Sequence, residues 1–344
     1  MPADLRAAIL GYGLAGRWIH SPLIATTPGL AVGIVVTSDG QRRAAALDEH
    51  PGVVVVDHAE ALWGRDDVDF VVVATPNDSH AALAEAAIAR GLPVVVDKPL
   101  AISAAQAQAV VDRAEQAGVA LTAFHNRRWD SDQLTLATLI EQGALGAVLR
   151  YESRFERWRP AADPTVWRQA QPPERGGGLL LDLGTHLVDQ ALHLFGPVSH
   201  VYAEIAARRG TAADDDAFLA LTHETGVISH LHASALTAAP GPRLRVLGTE
   251  AAYVATALDS QEDALRAGRR PDTTPDWGTE PFQRGRLVSG ETSIPIGVPG
   301  DWPRFYALWE QALRGAGPVP VDPGDAVATL RVLERARASA QHSP

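Results

Sequence analysis

A carboxylate and an imidazole one helical turn apart, together with one lysine, hold the reactive chemistry of this sequence. The run 179–195 has a helical pattern, bounded by Gly176-Gly177-Gly178 before it and Gly196-Pro197 after it. It places Asp182, His186, Asp189 and His193 at i, i+4, i+7 and i+11, positions that share one face. Buried carboxylates and imidazoles are costly without partners, so this stripe is expected to face a polar cleft. Asp182 is expected to orient His186 and stabilise its charge. A solvated helix face is the plain alternative, and a metal site is another, because Asp and His are both ligands. No metal is expected, since moving a hydride off an alcohol does not require one.

Lys98 is the only lysine among 30 basic residues; every other is arginine. Abundant Ala, Arg, Gly and Pro suggest a coding bias that replaces lysine wherever arginine serves. Arginine is a wide planar fork that stays protonated, whereas lysine is a compact amine. Chance is the bland explanation, since some lysine must be the last. Lys98 nevertheless closes an apolar run in Val95-Val96-Asp97-Lys98-Pro99, and ligands of an open parallel sheet sit outside the carboxyl ends of its strands. Pro99 fixes the turn and is a candidate cis residue. Oxidising a secondary alcohol needs a hydride acceptor, a base for the proton and a cation near the developing alkoxide. His186 as acid/base, Asp182 as its partner and Lys98 as the polarising cation fit those roles.

The hydride acceptor has its own signature. Gly11-Tyr12-Gly13-Leu14-Ala15-Gly16 matches the G-x-G-x-x-G turn that follows a first strand, opens a helix and approaches a pyrophosphate. An NAD enzyme usually ends its second strand with a carboxylate for the ribose hydroxyl, whereas an NADP enzyme supplies a cation there. Here that strand ends Thr37-Ser38-Asp39-Gly40-Gln41-Arg42-Arg43. Thr37 takes the position of the acid, Ser38 and Arg42 or Arg43 suit a 2′-phosphate, and NADP is favoured. Asp39 keeps NAD open, since one residue of slippage makes it the ribose acid.

The elements that must position these groups can be read from periodicity. Six short apolar runs at 7–10, 32–36, 53–56, 70–74, 93–96 and 119–123 read as strands of a parallel sheet. Ala-rich helical segments such as 79–90 and 103–116 lie between them, with Ser79 and Ser103 as N-caps and Gly91 and Gly118 as stops. The alternation predicts a doubly wound α/β domain over 1–124. Beyond it, segments 147–156, 198–207, 217–222, 227–233 and 243–247 alternate more and predict a largely antiparallel sheet within 125–344. Helices are expected at 132–142, 179–195, 303–314 and 323–340, and 267–299 reads as a long surface excursion.

Bulk properties narrow the class. The chain has 344 residues, no cysteine and a formal charge of −11. Thiolate chemistry is excluded, and nucleic acid would on average be repelled. No apolar run suits a membrane span and no secretory leader is apparent, so a cytoplasmic address is expected.

With these residues in place, the chain resembles the glucose–fructose oxidoreductase/inositol dehydrogenase/MocA family. The glycine motif, Asp97-Lys98-Pro99 and Asp182-x-x-x-His186 carry the likeness, which covers nearly the whole chain. The segments 125–130, 182–186 and 261–268 are similar to its NADP-linked scyllo-inositol dehydrogenase branch. The resemblance implies a Rossmann domain, then an α/β domain with a large open, mostly antiparallel sheet used for homodimer or homotetramer contacts. It implies Lys98, Asp182 and His186 as the catalytic group. It places Thr75-Pro76-Asn77 and His80 beside the nicotinamide, Trp167 and Arg168 at the cofactor's border, and His125 and Arg127 at the substrate. Asp97 departs from the glutamate common in the family. The expected substrate is an inositol, polyol or sugar. Arg127, Arg128, Arg154, Arg157 and Arg159 are candidates to line the cleft and favour an acidic sugar. A non-catalytic dinucleotide sensor and an NAD-assisted lyase or glycosidase are the alternatives.

Overall fold

The computed structural model describes residues 3–279 and 285–341. The six apolar runs form β1 (Leu5–Leu10), β2 (Leu30–Val36), β3 (Val54–Val56), β4 (Phe70–Val73), β5 (Val94–Asp97) and β6 (Leu121–Phe124). All pair in parallel, in the order β3-β2-β1-β4-β5-β6. Strand order reverses between β1 and β4, which opens a crevice at the carboxyl ends of the strands. The valines of β4 and β5 are completely buried, which explains their unbroken apolar character.

The connecting helices are α1 (Ser21–Ala25), entered through a π-helical turn at Gly16–His20, then α2 (Gly40–Glu49), α3 (His80–Ile88) and α4 (Ala104–Ala117). Ser103 caps α4 by accepting from the Gln106 N–H, and Gly118 ends it in a left-handed conformation. Ser79 does not cap α3. Its hydroxyl lies 2.6 Å from the Thr75 hydroxyl and donates to the Pro76 carbonyl, because a 3₁₀ turn at Asn77–Ser79 leads into the helix.

The second half contains α5 (Ser131–Glu141), β7 (Val148–Glu156), α6 (Trp167–Ala170), α7 (Thr185–Phe195), β8 (Val198–Ala206), β9 (Asp216–His223) and β10 (Ile228–Ser234). It continues through β11 (Leu244–Gly248), β12 (Ala252–Ala255), α8 (Gln261–Arg266), β13 (Gly285–Ser289) and β14 (Thr292–Pro295). The sheet runs β14-β13-β12-β11-β7-β10-β9-β8 and is antiparallel except where β7 meets β10. The expected excursion at 267–299 therefore contains a hairpin, β13–β14, while 280–284 lies outside the described residues. Those strands form a solvated edge, so they carry little of the apolar alternation that marks a strand. The expected helix over 179–195 is also divided: Leu180–Gly184 is a π-helical turn and only Thr185–Phe195 is α-helical.

The C-terminal helices α9 (Pro303–Leu313) and α10 (Pro323–Gln341) return to the first sheet. Trp302, Phe305, Tyr306 and Trp309 are fully buried and share a core with Ile9, Phe70, Val72 and Val95. Helix α10 packs on α4, α7 and β8, bridging the two halves. Among the described residues no helix is long and apolar enough to cross a membrane.

Trp309 meets Phe70 edge-on at 6.1 Å, and its indole N–H has no hydrogen-bond partner among the described residues. Trp309→Ala is expected to cost about 3–5 kcal/mol in denaturant titration, through lost burial and the cavity left behind. Trp309→Phe is expected to cost much less, because it removes the unpaired donor as well. Equal losses for the two would refute this account of the packing.

Candidate active site

The glycine turn at the end of β1 is built as its spacing requires. Gly11 sits at φ 90°, and a Cβ there would fall 2.6 Å from the Ala74 carbonyl oxygen. A Cβ at Gly16 would overlap the Gly11 carbonyl, so helix and strand approach closely only without one. At Gly13 the nearest atom would be Arg42 Nη1 at 3.9 Å, so this position is open towards the crevice. The crevice has a volume of about 520 Å³. Leu14, Thr37, Ser38, Arg42, Thr75 and Pro76 line it, with Trp167 and Arg168 reaching in from the second half.

Several expected cofactor residues serve from behind this wall. The Tyr12 ring turns into the core, and its hydroxyl donates to Glu49 at 2.7 Å. His80 is fully buried, its ring nitrogens 2.7 Å from the Pro99 carbonyl and 2.9 Å from that of Thr75. Burial holds its pKa below the ordinary value. Asn77 donates to the Gly176 carbonyl. The two side chains fasten the Thr75 loop to the Lys98-Pro99 turn, whose peptide bond is cis, and to the Gly-rich entry of α7. Asp39 caps α2 by accepting from the Arg42 N–H, and Arg43 pairs with Asp57. The Arg42 guanidinium has no ion pair among the described residues. Asp57, His58 and Glu60, after β3, also line the crevice. Nothing in their spacing had marked them.

A second compartment of about 390 Å³ adjoins the crevice, and both are bordered by Leu14, Ala15 and Arg168. Lys98 enters it from the end of β5, and Asp182 and His186 enter from the start of α7. Lys98 Nζ donates to Asp182 Oδ1 at 2.6 Å and to the Asp182 main-chain carbonyl at 2.7 Å. Arg168 Nε lies 3.8 Å from the same carboxylate. The expected contact from Asp182 to His186 is absent among the described residues. The π-helical turn accounts for this, since its wider winding takes Asp182 out of α-helical register with His186 and turns it to Lys98. Burial would raise the Asp182 pKa, but the Lys98 and Arg168 charges hold it below the usual carboxylate range.

His186 is buried, with Nδ1 unpartnered among the described residues and its ring 6.2 Å from that of Phe155. Burial, then the charges of Lys98 and Arg127, keep its pKa well below 6.5. The imidazole is therefore neutral at neutral pH and can accept a proton. Behind Lys98, Asp97 Oδ1 lies 3.7 Å from His20 Nε2, and His20 Nδ1 lies 2.6 Å from the Tyr306 hydroxyl. Burial would raise the Asp97 pKa; His20 and Lys98 draw it down to about 2.

The expected four-residue stripe does not reach a common cleft. Asp189 is buried between Arg128, at 2.6 and 3.0 Å, and His125, at 3.6 Å; His193 is exposed. Asp189 faces this guanidinium and imidazole because the chain around 126–129 packs on α7 there. His125, expected at the substrate, is buried behind the wall, and burial lowers its pKa. Arg127 forms part of the wall, but Asp130 and Glu262 engage its guanidinium at 3.2 and 2.7 Å. Arg128 faces Asp189, and Arg154 pairs with Glu152 at 2.9 Å. Arg157 and Arg159 do line the compartment. Asp214, unmarked by any motif, accepts from the Leu180 N–H at 2.6 Å and pairs with Arg337 of α10.

Residues 5–125 match the family model described as oxidoreductase family, NAD-binding Rossmann fold. Residues 134–254 match that of the GFO/IDH/MocA C-terminal domain. The chain is 38% identical to YdgJ, an uncharacterized oxidoreductase of Escherichia coli K12, over 99% of this chain and 98% of that one. It is 32% identical to scyllo-inositol 2-dehydrogenase (NADP(+)) IolW of Bacillus subtilis, over 98% of this chain and 94% of that one. The solved structure of yvaA from Bacillus subtilis superposes with a TM-score of 0.91 at 31% identity, covering 98% and 96% of the two chains. With both halves matched, and with a glycine turn opening onto a Lys-Asp-His compartment, the chain belongs to the Gfo/Idh/MocA family of oxidoreductases.

Proposed function

We propose that this oxidoreductase is an NADP-preferring dehydrogenase of the cytoplasm that acts on a secondary hydroxyl of an inositol, polyol or sugar. One observation carries the reading: Lys98 and a neutral His186 face one compartment that is continuous with the glycine-turn crevice. When bound in that crevice, a nicotinamide dinucleotide supplies the hydride acceptor or donor. Lys98 donates to the reacting oxygen and stabilises its negative charge, which is worth most where water is excluded. His186 takes the hydroxyl proton. Asp182 holds the ammonium at the end of β5 and balances its charge. Thr75, Pro76, Trp167 and Arg168 border the nicotinamide end, and Arg127 shapes the substrate wall.

The NADP preference draws support from Ser38 and the uncommitted Arg42 at the ribose end, and from the engagement of Asp39 in a helix cap. The NADP-linked dehydrogenase at 32% identity and a D-apiose dehydrogenase of Paraburkholderia graminis at 26% support the substrate class. Leu149, Tyr202 and Ile294 are exposed on strands of the open sheet, the surface through which we propose that homodimers or homotetramers form.

Turnover across a panel of inositols, aldoses and sugar acids tests the reading, and failure with both cofactors would reject it. His186→Gln is expected to lower kcat by about 10²- to 10⁴-fold while leaving NADPH binding, followed by fluorescence, in place. Lys98→Arg keeps the charge, but its fork does not fit the two Asp182 acceptors; a loss of at least about tenfold is expected, and full activity would refute the role given to Lys98. Arg42→Ala is expected to raise the KM for NADP about tenfold or more and to leave that for NAD nearly unchanged. His186 must be neutral to accept a proton and its pKa is lowered, so kcat/KM for oxidation is expected to stay level as pH falls to 6.5 and to decline only below it. An inflection above pH 7 would contradict this.

A further inference from the structure

Every arginine around the inner compartment except two has a carboxylate partner. Arg127 pairs with Asp130 and Glu262, Arg168 with Asp182, Arg209 with Asp215 and Arg266 with Glu262. Arg157 and Arg159 have no ion pair and no side-chain hydrogen bond among the described residues, although both line the compartment that holds Lys98, Asp182 and His186.

Their backbone is held by hydrogen bonds. The chain leaving β7 stays extended: the Arg157 N–H donates to the Ser234 carbonyl at 2.9 Å and the Arg159 N–H to the Ala235 carbonyl at 2.7 Å. Trp158, between them, bridges to Leu236 and is exposed. In extended chain, side chains at i and i+2 point the same way. Arg157, half-buried, and Arg159, exposed, thus both border the compartment, and the intervening indole is exposed to solvent. Burial, then the like charge of Arg159, act against the Arg157 cation and outweigh the attraction of the Glu262 and Asp182 carboxylates, so its pKa is lowered. Half-buried Arg157 and exposed Arg159 bring two positive charges without ion-pair partners to one wall, and a bound anion would offset the desolvation of Arg157 and the repulsion between them. Their planar donor forks suit a carboxylate or a phosphate in bidentate contact. The cofactor's own phosphates do not fill this position, because the glycine turn and Arg42 line the other compartment, which Arg157 and Arg159 do not border.

We propose that the substrate is an anionic polyol, a sugar acid or a sugar phosphate, whose charged group is held by Arg157 and Arg159 while its reacting hydroxyl meets Lys98 and His186. The inference rests on the dehydrogenase reading above and narrows its substrate class. It also assigns to two residues a specificity role distinct from the chemical step.

The test compares hexonates, hexuronates and hexose phosphates with matched neutral aldoses and inositols, using the wild type and the Arg157→Gln/Arg159→Gln double variant. Calorimetric titration of the NADP-loaded protein with the same compounds gives a readout that does not need turnover. The expected result is a kcat/KM preference for one anionic class of at least about 100-fold, falling at least about tenfold in the double variant through KM rather than kcat. The class preferred distinguishes carboxylate from phosphate. Wild-type preference for neutral polyols would overturn the inference and leave the dehydrogenase reading standing, as would an anionic preference that the double variant retains. Absence of turnover, with saturable anion binding that the double variant loses, would support the anion site and reject the dehydrogenase reading. Neither turnover nor anion binding would overturn both.

Discussion

One ammonium group joins the two halves of this molecule at the point where chemistry is expected. Lys98 leaves the end of a fully buried parallel strand and meets both the side chain and the main chain of Asp182. A partly buried pair of this kind is weak evidence for stability, because desolvation offsets much of the Coulomb gain. Its value is positional. Removing Asp182 would take from Lys98 its carboxylate partner, whereas removing Lys98 would leave Asp182 facing Arg168 alone. Burial first, and then this same ammonium, hold the pKa of the nearby His186 imidazole well below its ordinary value.

Around this pair, buried charged groups are tied into ion-pair networks, although ring nitrogens of His20, His125 and His186 have no hydrogen-bond partner among the described residues. Asp97 leans on His20, and His20 on Tyr306 of α9. Arg128 bridges Asp189 of α7 and Asp325 of α10. Arg127 joins Asp130 to Glu262 of α8 and stacks 5.2 Å from the Phe155 ring and 5.5 Å from that of Trp302. Each network ties the wall of the compartment to a helix that is remote in sequence. Partly satisfied networks are costly in a low-dielectric interior, and satisfied ones stiffen it. Arg157 and Arg159 differ from the other arginines of the compartment in having no ion pair among the described residues.

What could be read from the sequence follows from which interactions are local. The six parallel strands were legible because full burial makes them continuous apolar runs, and the glycine turn because its backbone demands are met only at fixed spacing. Lys98 was legible from rarity combined with its place at a strand end. The π-helical turn was not, since α- and π-winding share nearly the same composition and differ by one residue of register. That single residue redirected Asp182 from His186 to Lys98 and spread the expected stripe over a compartment, a buried ion pair and solvent. His125, Tyr12 and His80 were identified as residue types but not by depth, because their burial depends on segments far away in the chain. Asp214 was invisible for the same reason: its carboxylate receives the Leu180 backbone N–H from a turn more than thirty residues earlier.

The long-range packing also bears on how the site works. Val71 and Val73 of β4, Val94 and Val96 of β5, Tyr151 and Leu231 of the second sheet, and Leu330 of α10 belong to one continuous hydrophobic core. Helix α9 seals the other face of the first sheet with four fully buried aromatic residues at and near its start. Free hinge motion between the halves would have to expose this shared core, at about 25 cal/mol for every Å² of apolar surface returned to water. Lys98, Asp182 and His186 are therefore held in place before any ligand arrives. Orienting reactive groups in advance lowers the entropy cost of the encounter, and here it is the C-terminal helices, far from the site in sequence, that secure this by fastening the sheet that carries Lys98 to the helix that carries His186.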